Sequence, residues 1–299
     1  MDSLTAGVLC VGNANVDTYL PKNEKFFGGS AANTAVRLAD LSQLDVNEDP
    51  SRIRPALLAV VGSDANGQAI RENLKMRGVV TKYLAEFKGK SQQSTIALER
   101  GGERVIGRGA RQVEVLCATL RKIVPVLPPD IWVHVKAPSP VFAAIVEEGT
   151  RLGSLDLASF ERREDWERLG LLLQVKVVTG NEQEVTRLGD LEVLWRNPTI
   201  ELVALKEGER GATLFTRDSP PLHVPPYRVT AVDKTGAGDA FNAGIIFGIR
   251  NKWDLRHIGD LANALGALTC TVRGAQNPPV TRNSLEEIGF RIISKDGEK

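Results

Sequence analysis

The stretch DKTGAGDAFNAGIIFGIR, residues 233–250, decides the fold because two glycines stand directly before a long helical run. Backbone N–H groups at a helix start have no intrahelical partner, and the helix dipole is positive there, so this turn suits an anion such as a phosphate. The glycines allow the backbone to approach that anion closely. Asp239, at the same helix start, can take a proton from a hydroxyl group beside the phosphate. A carboxylate there also stabilises a helix without any ligand, and both interpretations stay open at this point.

A second glycine pair, Gly28 and Gly29, precedes another helix-like segment, SAANTAVRLADL at 30–41. This turn can bring backbone N–H groups and the side-chain amide of Asn33 to a polar ligand. Ser30 as the N-cap of a tight loop explains the same residues without a ligand.

Polar side chains also follow the first apolar run of the chain, residues 8–11: they are Asn13, Asn15 and Asp17. In an open α/β sheet the ligand crevice lies outside the carboxyl ends of the strands. A carboxylate and amides at that place can bind the hydroxyl groups of a substrate, although loop capping by Asn and Asp is the commoner reason for them.

Short apolar runs alternate with helix-like segments along most of the chain. We expect strands at 8–11, 57–61, 95–98, 132–135, 175–178, 202–205 and 212–215. We expect helices at 30–41, 67–77, 140–152, 182–188, 237–250 and 254–271. Continuous apolar strands between amphipathic helices predict an α/β protein with a mainly parallel sheet flanked by helices.

Composition excludes several other classes of protein. The 299 residues carry 38 Lys+Arg against 37 Asp+Glu, so the balanced charge argues against a nucleic-acid-coating surface. The three cysteines are far apart and form no CxxC pair, which argues against a disulfide framework or a zinc finger. We find no signal-peptide pattern and no run of the roughly 20 apolar residues that a membrane span needs. We therefore expect a cytoplasmic protein that binds neither nucleic acid nor membrane.

Other active-site templates find no support in the sequence. There is no GxxxxGK[ST] motif, and no GxGxxG motif follows the first strand, so a dinucleotide fold is disfavoured. The three histidines are scattered, which disfavours a metal cluster or a Ser-His-Asp triad. His134, in an apolar run, is predicted to be a core residue.

Several motifs occur in an order typical of one family. They are GGSAANTAVRLADL (28–41), VVGSDANGQAIRENLKMRGV (60–79), GGERVIGRGA (101–110), GNEQEV (180–185), LKEGERGA (205–212), DKTGAGDAFNAG (233–244) and TVRGAQNPP (271–279). With them the chain resembles the ribokinase-like (PfkB) carbohydrate kinases from about residue 8 to 279. The resemblance implies one kinase domain over 1–299, with a three-layer fold and a β-stranded lid. The segment 18–27 is short for that lid, so we expect a reduced lid, completed in part from 81–102.

The resemblance implies a role for each residue of the 233–244 motif. Asp239 is expected to be the base that deprotonates the acceptor hydroxyl. The backbone amides of Gly236, Ala237 and Gly238 are expected to form the anion hole for the migrating phosphoryl group.

The resemblance also implies ATP, Mg²⁺ and, in many members, potassium. Candidate nucleotide-binding residues are Asn181, Glu184, Lys206, Gly208, Gly211 and Asn263. Asn181 and Glu184 fit the family pattern NxxE, which organises Mg²⁺ and its water. Members that bind potassium do so through backbone oxygens near this region, and the candidate ligands here are Asp233, Thr235, Thr269, Val272 and Gly274.

For the acceptor, the resemblance implies a small polyhydroxy compound, in the first place a sugar or sugar acid. The candidate substrate-binding residues are Asn13, Asp17, Gly28, Gly29, Asn33 and Arg108. The GGS-A-AN pattern is similar to fructokinases and 2-keto-3-deoxygluconate kinases, whereas Asn13-x-Asn15-x-Asp17 is similar to ribokinases and archaeal nucleoside kinases. Nucleoside or inositol kinases are therefore alternatives, with a catalytically silent sugar- or nucleotide-binding member behind them. Either a monomer or a homodimer fits the sequence.

Overall fold

The structure, a computed structural model, describes residues 7–44, 53–97, 103–106 and 110–291. Its strands are β1 (Gly7–Gly12), β2 (Asn15–Leu20), β3 (Glu24–Gly28), β4 (Arg54–Leu58), β5 (Val60–Gly62), β6 (Ala85–Phe87), β7 (Gln93–Ala97), β8 (Glu103–Ile106), β9 (Trp132–Lys136), β10 (Arg151–Asp156), β11 (Gln174–Asn181), β12 (Leu202–Lys206), β13 (Ala212–Thr216) and β14 (Leu222–Val224). Its helices are α1 (Ser30–Leu44), α2 (Ala65–Met76), α3 (Ala110–Ile123), α4 (Ser139–Glu147), α5 (Arg163–Asp165), α6 (Glu182–Leu188), α7 (Leu191–Trp195), α8 (Ala237–Arg250), α9 (Leu255–Thr269) and α10 (Arg282–Glu287).

The main sheet has the strand order β14-β13-β12-β11-β10-β9-β1-β4 among the described residues. The pairs from β4 through β12 are parallel, and β13 and β14 add an antiparallel edge. Every residue of β1, GVLCVG, is buried, as expected for a strand covered on both faces. The carboxyl ends of the parallel strands consequently meet at one edge of the sheet.

Helices cover both faces of the main sheet. On one face, α1, α8 and α9 enclose a core that includes Val36, Phe241 and Leu265. On the other face, α3, α4, α6 and α7 pack around a core that includes Phe142 and Trp166. The resulting helix–sheet–helix layers confirm the predicted α/β fold class.

A second, smaller sheet has the order β3-β2-β7-β8. β2 and β3 form an antiparallel hairpin over the short segment 18–27, and β2 continues the sheet by pairing in parallel with β7 from the 81–102 region. Tyr19 and Phe26 stack edge to face across the hairpin, with ring centroids 5.1 Å apart. We call these four strands the small sheet.

Several elements differ from the sequence interpretation. The expected helix at 140–152 is wrong beyond Glu147, because Gly149 adopts φ +62° and the chain enters β10 at Arg151. The expected strand at 57–61 is split, since β5 pairs with β6 and leaves the main sheet. Among the described residues, no helix is both long and apolar enough to cross a membrane.

Candidate active site

The carboxyl edge of the main sheet collects polar and charged side chains. Asn13 follows β1, and β9, β10, β11 and β12 end at Lys136, Asp156, Asn181 and Lys206. Helix α8 begins opposite this edge. An open parallel sheet binds its ligands at this place, so the edge is the candidate active site.

The glycine turn before α8 has a backbone that requires glycine. Gly236 is the N-cap residue of α8 and adopts φ +82°. A Cβ atom there would lie 2.5 Å from the Cβ of Ala275, so both the dihedral angle and the space exclude a side chain. Backbone N–H groups in the first turn of a helix have no partner within that helix, and here the N–H of Ala237 donates to the carbonyl oxygen of Lys234 at 3.3 Å.

Asp239 is buried in the first turn of α8, and both of its carboxylate oxygens are held. Oδ1 accepts a hydrogen bond from Lys136 Nζ at 2.8 Å, and Oδ2 accepts one from Asn33 Nδ2 at 2.8 Å. The structure thus brings two residues predicted from sequence, Asp239 and Asn33, into direct contact. Lys136 was missed. The only signal for it was a lysine that ends the otherwise apolar strand WVHVK.

Lys136 belongs to a group of alternating charges that we call the lysine–aspartate row, formed by Lys206, Asp156, Lys136 and Asp239. Lys206 Nζ donates to Asp156 Oδ2 at 2.8 Å, and Lys136 Nζ lies 3.4 Å from the same oxygen. Asn242 Nδ2 also donates to this oxygen, at 2.6 Å. The row runs along the sheet edge from the end of β12 to the start of α8.

The charges in the row set the pKa values of its buried members. Burial alone would raise the pKa of Asp156, but Lys136 and Lys206 outweigh burial and hold that pKa far below its usual range. Burial alone would lower the pKa of Lys136, but Asp156 and Asp239 outweigh it and raise that pKa. Both groups are therefore ionised at neutral pH.

A chain of side-chain amides supports Asp239 from the other side. Gln276 Nε2 donates to Asn33 Oδ1 at 3.2 Å, and Asn73 Nδ2 donates to Gln276 Oε1 at 2.9 Å. The direction of these hydrogen bonds leaves Nδ2 of Asn33 to donate to Asp239. The chain fixes the amide orientation of Asn33 from α2 through the loop that follows α9.

A second buried group of charges holds that same loop, and we call it the arginine cluster: Arg37, Asp40 and Arg77. Arg37 donates to the backbone carbonyl oxygens of Ala275, Asn277 and Pro278, with distances of 3.2 Å and 2.7 Å for the first two. Arg77 Nη2 donates to both oxygens of Asp40, at 2.8 and 2.7 Å. These contacts fix the backbone against which Gly236 packs.

The predicted acceptor residues lie where the small sheet joins the main sheet. Asp17 is fully buried, and its Oδ1 accepts from Asn15 Nδ2 at 2.6 Å. A Cβ atom on Gly28 would collide with the Asp17 carboxylate, and Gly29 adopts φ +99° with its Cβ position 2.6 Å from Ala14 Cα. The glycine pair therefore makes room for a carboxylate and for a tight turn.

A cleft opens beside the lysine–aspartate row. Its lining includes the side chains of Asn13, Gln92, Gln112, Val113, Leu116 and Lys136. Oδ1 of Asn13 accepts from the backbone N–H of Ser30 at 3.0 Å, an arrangement that leaves its amide group as a donor. The cleft combines polar groups with an apolar wall from α3.

The predicted nucleotide-binding residues lie further along the sheet edge. Asn181 and Glu184 form a capping box at the start of α6, with hydrogen bonds of 2.9 and 2.8 Å between the side chain of each and the backbone N–H of the other. Gly208 adopts φ +62° and is open on its Cβ side, whereas Gly211 packs against Val224. Asn263 donates to the carbonyl oxygens of Val224 and Pro225 at 3.0 Å, so its amide holds the chain after β14.

Two kinds of metal site can be tested against the donor groups. Among the described residues, no three or more His, Cys, Asp or Glu side chains come together in a group that could hold a metal ion by themselves. The capping box engages one carboxylate oxygen of Glu184, so a Mg²⁺ ion that keeps several waters and binds ATP phosphates fits there.

The side chains at the predicted potassium site are engaged within the protein, beginning with the carboxylate of Asp233. Its Oδ2 accepts from Tyr19 Oη at 2.6 Å and from Gly274 N at 3.0 Å, and its Oδ1 accepts from Thr235 N at 2.9 Å. Oγ1 of Thr269 donates to a backbone carbonyl within α9. Val272 is partly exposed. A potassium ion would therefore rely on backbone carbonyl oxygens of this region, and its site remains a prediction. Arg108 lies outside the described residues.

Comparison with known proteins identifies a family. The sequence model of the family described as "pfkB family carbohydrate kinase" matches residues 6–121 and 167–282. An ATP-dependent ribose-1-phosphate kinase of Halopiger xanaduensis is 28% identical over 274 residues, which cover 84% of this chain and 83% of the relative. Fructosamine kinase FrlD of Bacillus subtilis is 24% identical over 276 residues, which cover 90% of this chain and 92% of the relative.

Solved structures agree on the fold. A nucleoside kinase of Burkholderia thailandensis, solved in complex with inosine, superposes with a TM-score of 0.78. The superposition covers 96% of this chain and 99% of that chain at 20% identity. The expected ribokinase-like architecture is thereby confirmed.

Proposed function

The chain belongs to the pfkB family of carbohydrate kinases, which are phosphotransferases acting on hydroxyl groups, and we propose that it transfers the γ-phosphoryl group of ATP to a small sugar or sugar acid. The observation that carries this proposal is the position of Asp239. It stands one residue after the glycine turn at the start of α8 and beside a cleft lined by polar groups. A base next to an anion-binding helix start is what transfer of a phosphoryl group to a hydroxyl requires.

The reaction follows from these groups. The acceptor O–H bond breaks as its proton moves to the carboxylate of Asp239, and a bond forms between the acceptor oxygen and the γ-phosphorus. The bond from that phosphorus to the bridging oxygen breaks, and ADP leaves with the electron pair. The backbone N–H groups of Gly236, Ala237 and Gly238 would stabilise the charge on the migrating group.

ATP would lie along the strand ends from β11 to the start of α8. Lys206 and the open turn at Gly208 would contact its phosphates, and Glu184 would hold Mg²⁺ through water. When bound, Mg²⁺ neutralises phosphate charge. Because the proposed phosphate donor is ATP, we place the reaction in the cytoplasm.

The acceptor would bind in the cleft, with Asn13 on its lining and Asp17 beside Gly28 at the small sheet. Asp17 would select acceptors that offer it a hydroxyl group, because an unmatched polar group in a buried site is costly. The apolar wall of Val113 and Leu116 favours a second candidate, a nucleoside, whose base needs an apolar surface. The acceptors named for two relatives, ribose 1-phosphate and fructosamine, are further candidates to test.

The test is Mg²⁺-dependent release of ADP from ATP over a panel of acceptors, with Asp239→Asn as the control. The panel contains ribose, ribose 1-phosphate, fructose, fructosamine, 2-keto-3-deoxygluconate, myo-inositol and several nucleosides. We expect one acceptor to raise turnover far above background and to lose that effect in Asp239→Asn. Binding of ATP with no turnover on any acceptor would contradict the proposal.

The residue proposed to select the acceptor can be tested on the best substrate. Asp17→Ala should weaken apparent affinity for that acceptor and leave KM for ATP unchanged. Unchanged acceptor affinity would place the acceptor away from the small sheet.

A further inference from the structure

We infer that Lys136 is a positioning residue for phosphoryl transfer: it orients the carboxylate of Asp239 and, with Lys206, balances the buried carboxylates beside the migrating phosphoryl group. This inference rests on the proposed function and concerns the same site. The matched segments 6–121 and 167–282 leave out residues 122–166, which contain both Lys136 and Asp156. The family match therefore says nothing about these two residues, and their role has to come from the geometry.

The first argument is orientation. The carboxylate of Asp239 is fixed at both oxygens, by Lys136 Nζ and by Asn33 Nδ2, each at 2.8 Å. The two donors come from different elements, β9 and α1. A carboxylate gripped in this way keeps one rotamer, and the remaining lone pairs point in fixed directions.

The second argument is charge. Asp239 and Asp156 are both buried at the sheet edge, and the phosphoryl group arriving there is anionic. Two buried carboxylates without partners would repel it in a region of low dielectric constant. Lys136 lies 2.8 Å from one carboxylate and 3.4 Å from the other, and Lys206 lies 2.8 Å from Asp156. Two lysines and two aspartates leave the row neutral before transfer.

The proton transfer completes the balance. When Asp239 takes the acceptor proton it becomes neutral, so the row gains one positive charge while the acceptor oxygen joins the phosphoryl group. Lys136 stays protonated throughout, because the charge of Asp156 still faces it. The row is then most positive when negative charge on the migrating group needs stabilisation, which is a condition for lowering the barrier.

The experiment compares variants of the full chain on the best acceptor. In Lys136→Met we expect kcat to fall by about 100- to 1,000-fold, the loss typical of removing one preorganised donor. KM for ATP should stay within about twofold, because ground-state nucleotide binding does not use Lys136. Lys136→Arg keeps the charge and should regain part of the loss. Lys176→Met, which removes a surface lysine paired with Glu201, is the matched control.

Chemical rescue separates positioning from a merely structural role. In Lys136→Ala, ethylammonium added to the assay should raise kcat in a saturable way, because it supplies the missing ammonium group. A kcat for Lys136→Met within about threefold of the parent would overturn the inference. So would a loss of kcat with no regain in either Lys136→Arg or the rescue assay.

A double-mutant cycle decides the pairing without any turnover. Lys136→Met and Asp239→Asn should change the melting temperature non-additively, because each single change deprives a largely buried charge of one of its partners. Additive shifts would overturn the inference. If the parent phosphorylates no acceptor, the proposed function fails, and this cycle still decides whether Lys136 holds Asp239.

Discussion

The lysine–aspartate row and the arginine cluster are both largely buried groups of ion pairs, yet Lys136 in the row and Arg37 in the cluster donate to different partners. In the arginine cluster, Arg37 is completely buried and donates to three backbone carbonyl oxygens. In the row, the side chain of Lys136 keeps 18% of its surface exposed and lines a cleft. Its ion-pair partners are side chains, namely the carboxylates of Asp239 and Asp156.

The difference suggests a criterion for distinguishing a buried cation with a structural role from one with a functional role: the groups to which the cation donates. A cation that donates to backbone carbonyls fixes the path of the chain, because those carbonyls have no other partner there. A cation that holds carboxylates at the edge of a cleft leaves N–H groups and charge for a ligand. Burial lowers the pKa of Arg37 to about 10, so it still carries its charge at neutral pH. Charge alone therefore does not distinguish Arg37 from Lys136, but their hydrogen-bond partners do.

The largest effect should come from removing the base in the row. Asp239→Asn keeps the size of the side chain but cannot accept the acceptor proton, so kcat should fall by about 10³- to 10⁴-fold. Calorimetric titration should show that ATP binds with unchanged affinity. Near-full activity in this variant would remove Asp239 from the mechanism.

The next effect should appear in stability when the arginine cluster is cut. Arg37→Met leaves three carbonyl oxygens without their donor, so the free energy of unfolding in urea should fall by about 3–5 kcal/mol. Activity per folded molecule at 25 °C should change far less than in Asp239→Asn. The control is Arg187→Met, since the exposed Arg187 donates to a single carbonyl oxygen, that of Phe160. Equal losses in the two variants would contradict a special role for the cluster.

A buried neutral group close to the row gives a smaller, pH-dependent effect. Burial lowers the pKa of His134 to about 4, although nearby carboxylates oppose that shift, and its Nδ1 contacts Ser154 Oγ at 2.9 Å. In the unfolded chain, His134 binds a proton near the ordinary histidine pKa of about 6.5. The contribution of neutral His134 to the free energy of unfolding is therefore complete above that pH. It is lost as pH falls through 4, by at most about 3 kcal/mol.

Urea unfolding of the parent and of His134→Asn between pH 7 and 4 measures this contribution. The parent should lose more stability over this range than the variant does. Parallel curves for the two proteins would show that His134 is not held neutral in the fold.

The smallest effect should come from removing potassium. Because the carboxylate of Asp233 already accepts three hydrogen bonds within the protein, we expect that replacing potassium by tetramethylammonium changes kcat by less than about twofold. Sodium and potassium should give equal rates in the same assay. A tenfold activation specific to potassium would contradict this expectation and support a cation bound to backbone oxygens near Asp233.

Much of this organisation could be predicted from sequence. The apolar runs and the two glycine turns predict the main sheet and the starts of α1 and α8. These features depend on residues that are close together in the sequence. Asn33 and Asp239 lie 206 residues apart in the sequence. Their contact therefore depends on the fold and cannot be predicted from the two motifs alone.

Other features have no local signal. Lys136 and Asp156 are the last residues of β9 and β10, and a charged residue at a strand end is equally expected where the strand meets solvent. The parallel pairing of β2 with β7 depends on a register between distant segments. The arginine cluster joins residues 37, 40 and 77 to the loop after α9, a pairing that neither periodicity nor composition encodes.

The two glycines of the turn before α8, Gly236 and Gly238, differ in the substitutions that they tolerate. Every codon change at Gly236 that alters the amino acid adds a Cβ atom at φ +82°, 2.5 Å from Ala275, so the position has no neutral neighbour in sequence space. At Gly238 a new Cβ would meet only ordinary contacts, 3.5 Å from Lys206 Nζ. A saturation library sorted for folded protein, but not for activity, should therefore retain alanine at 238 and deplete everything but glycine at 236. Selection for phosphoryl transfer would then remove the survivors at 238, which separates the demands of folding from those of chemistry within three consecutive residues.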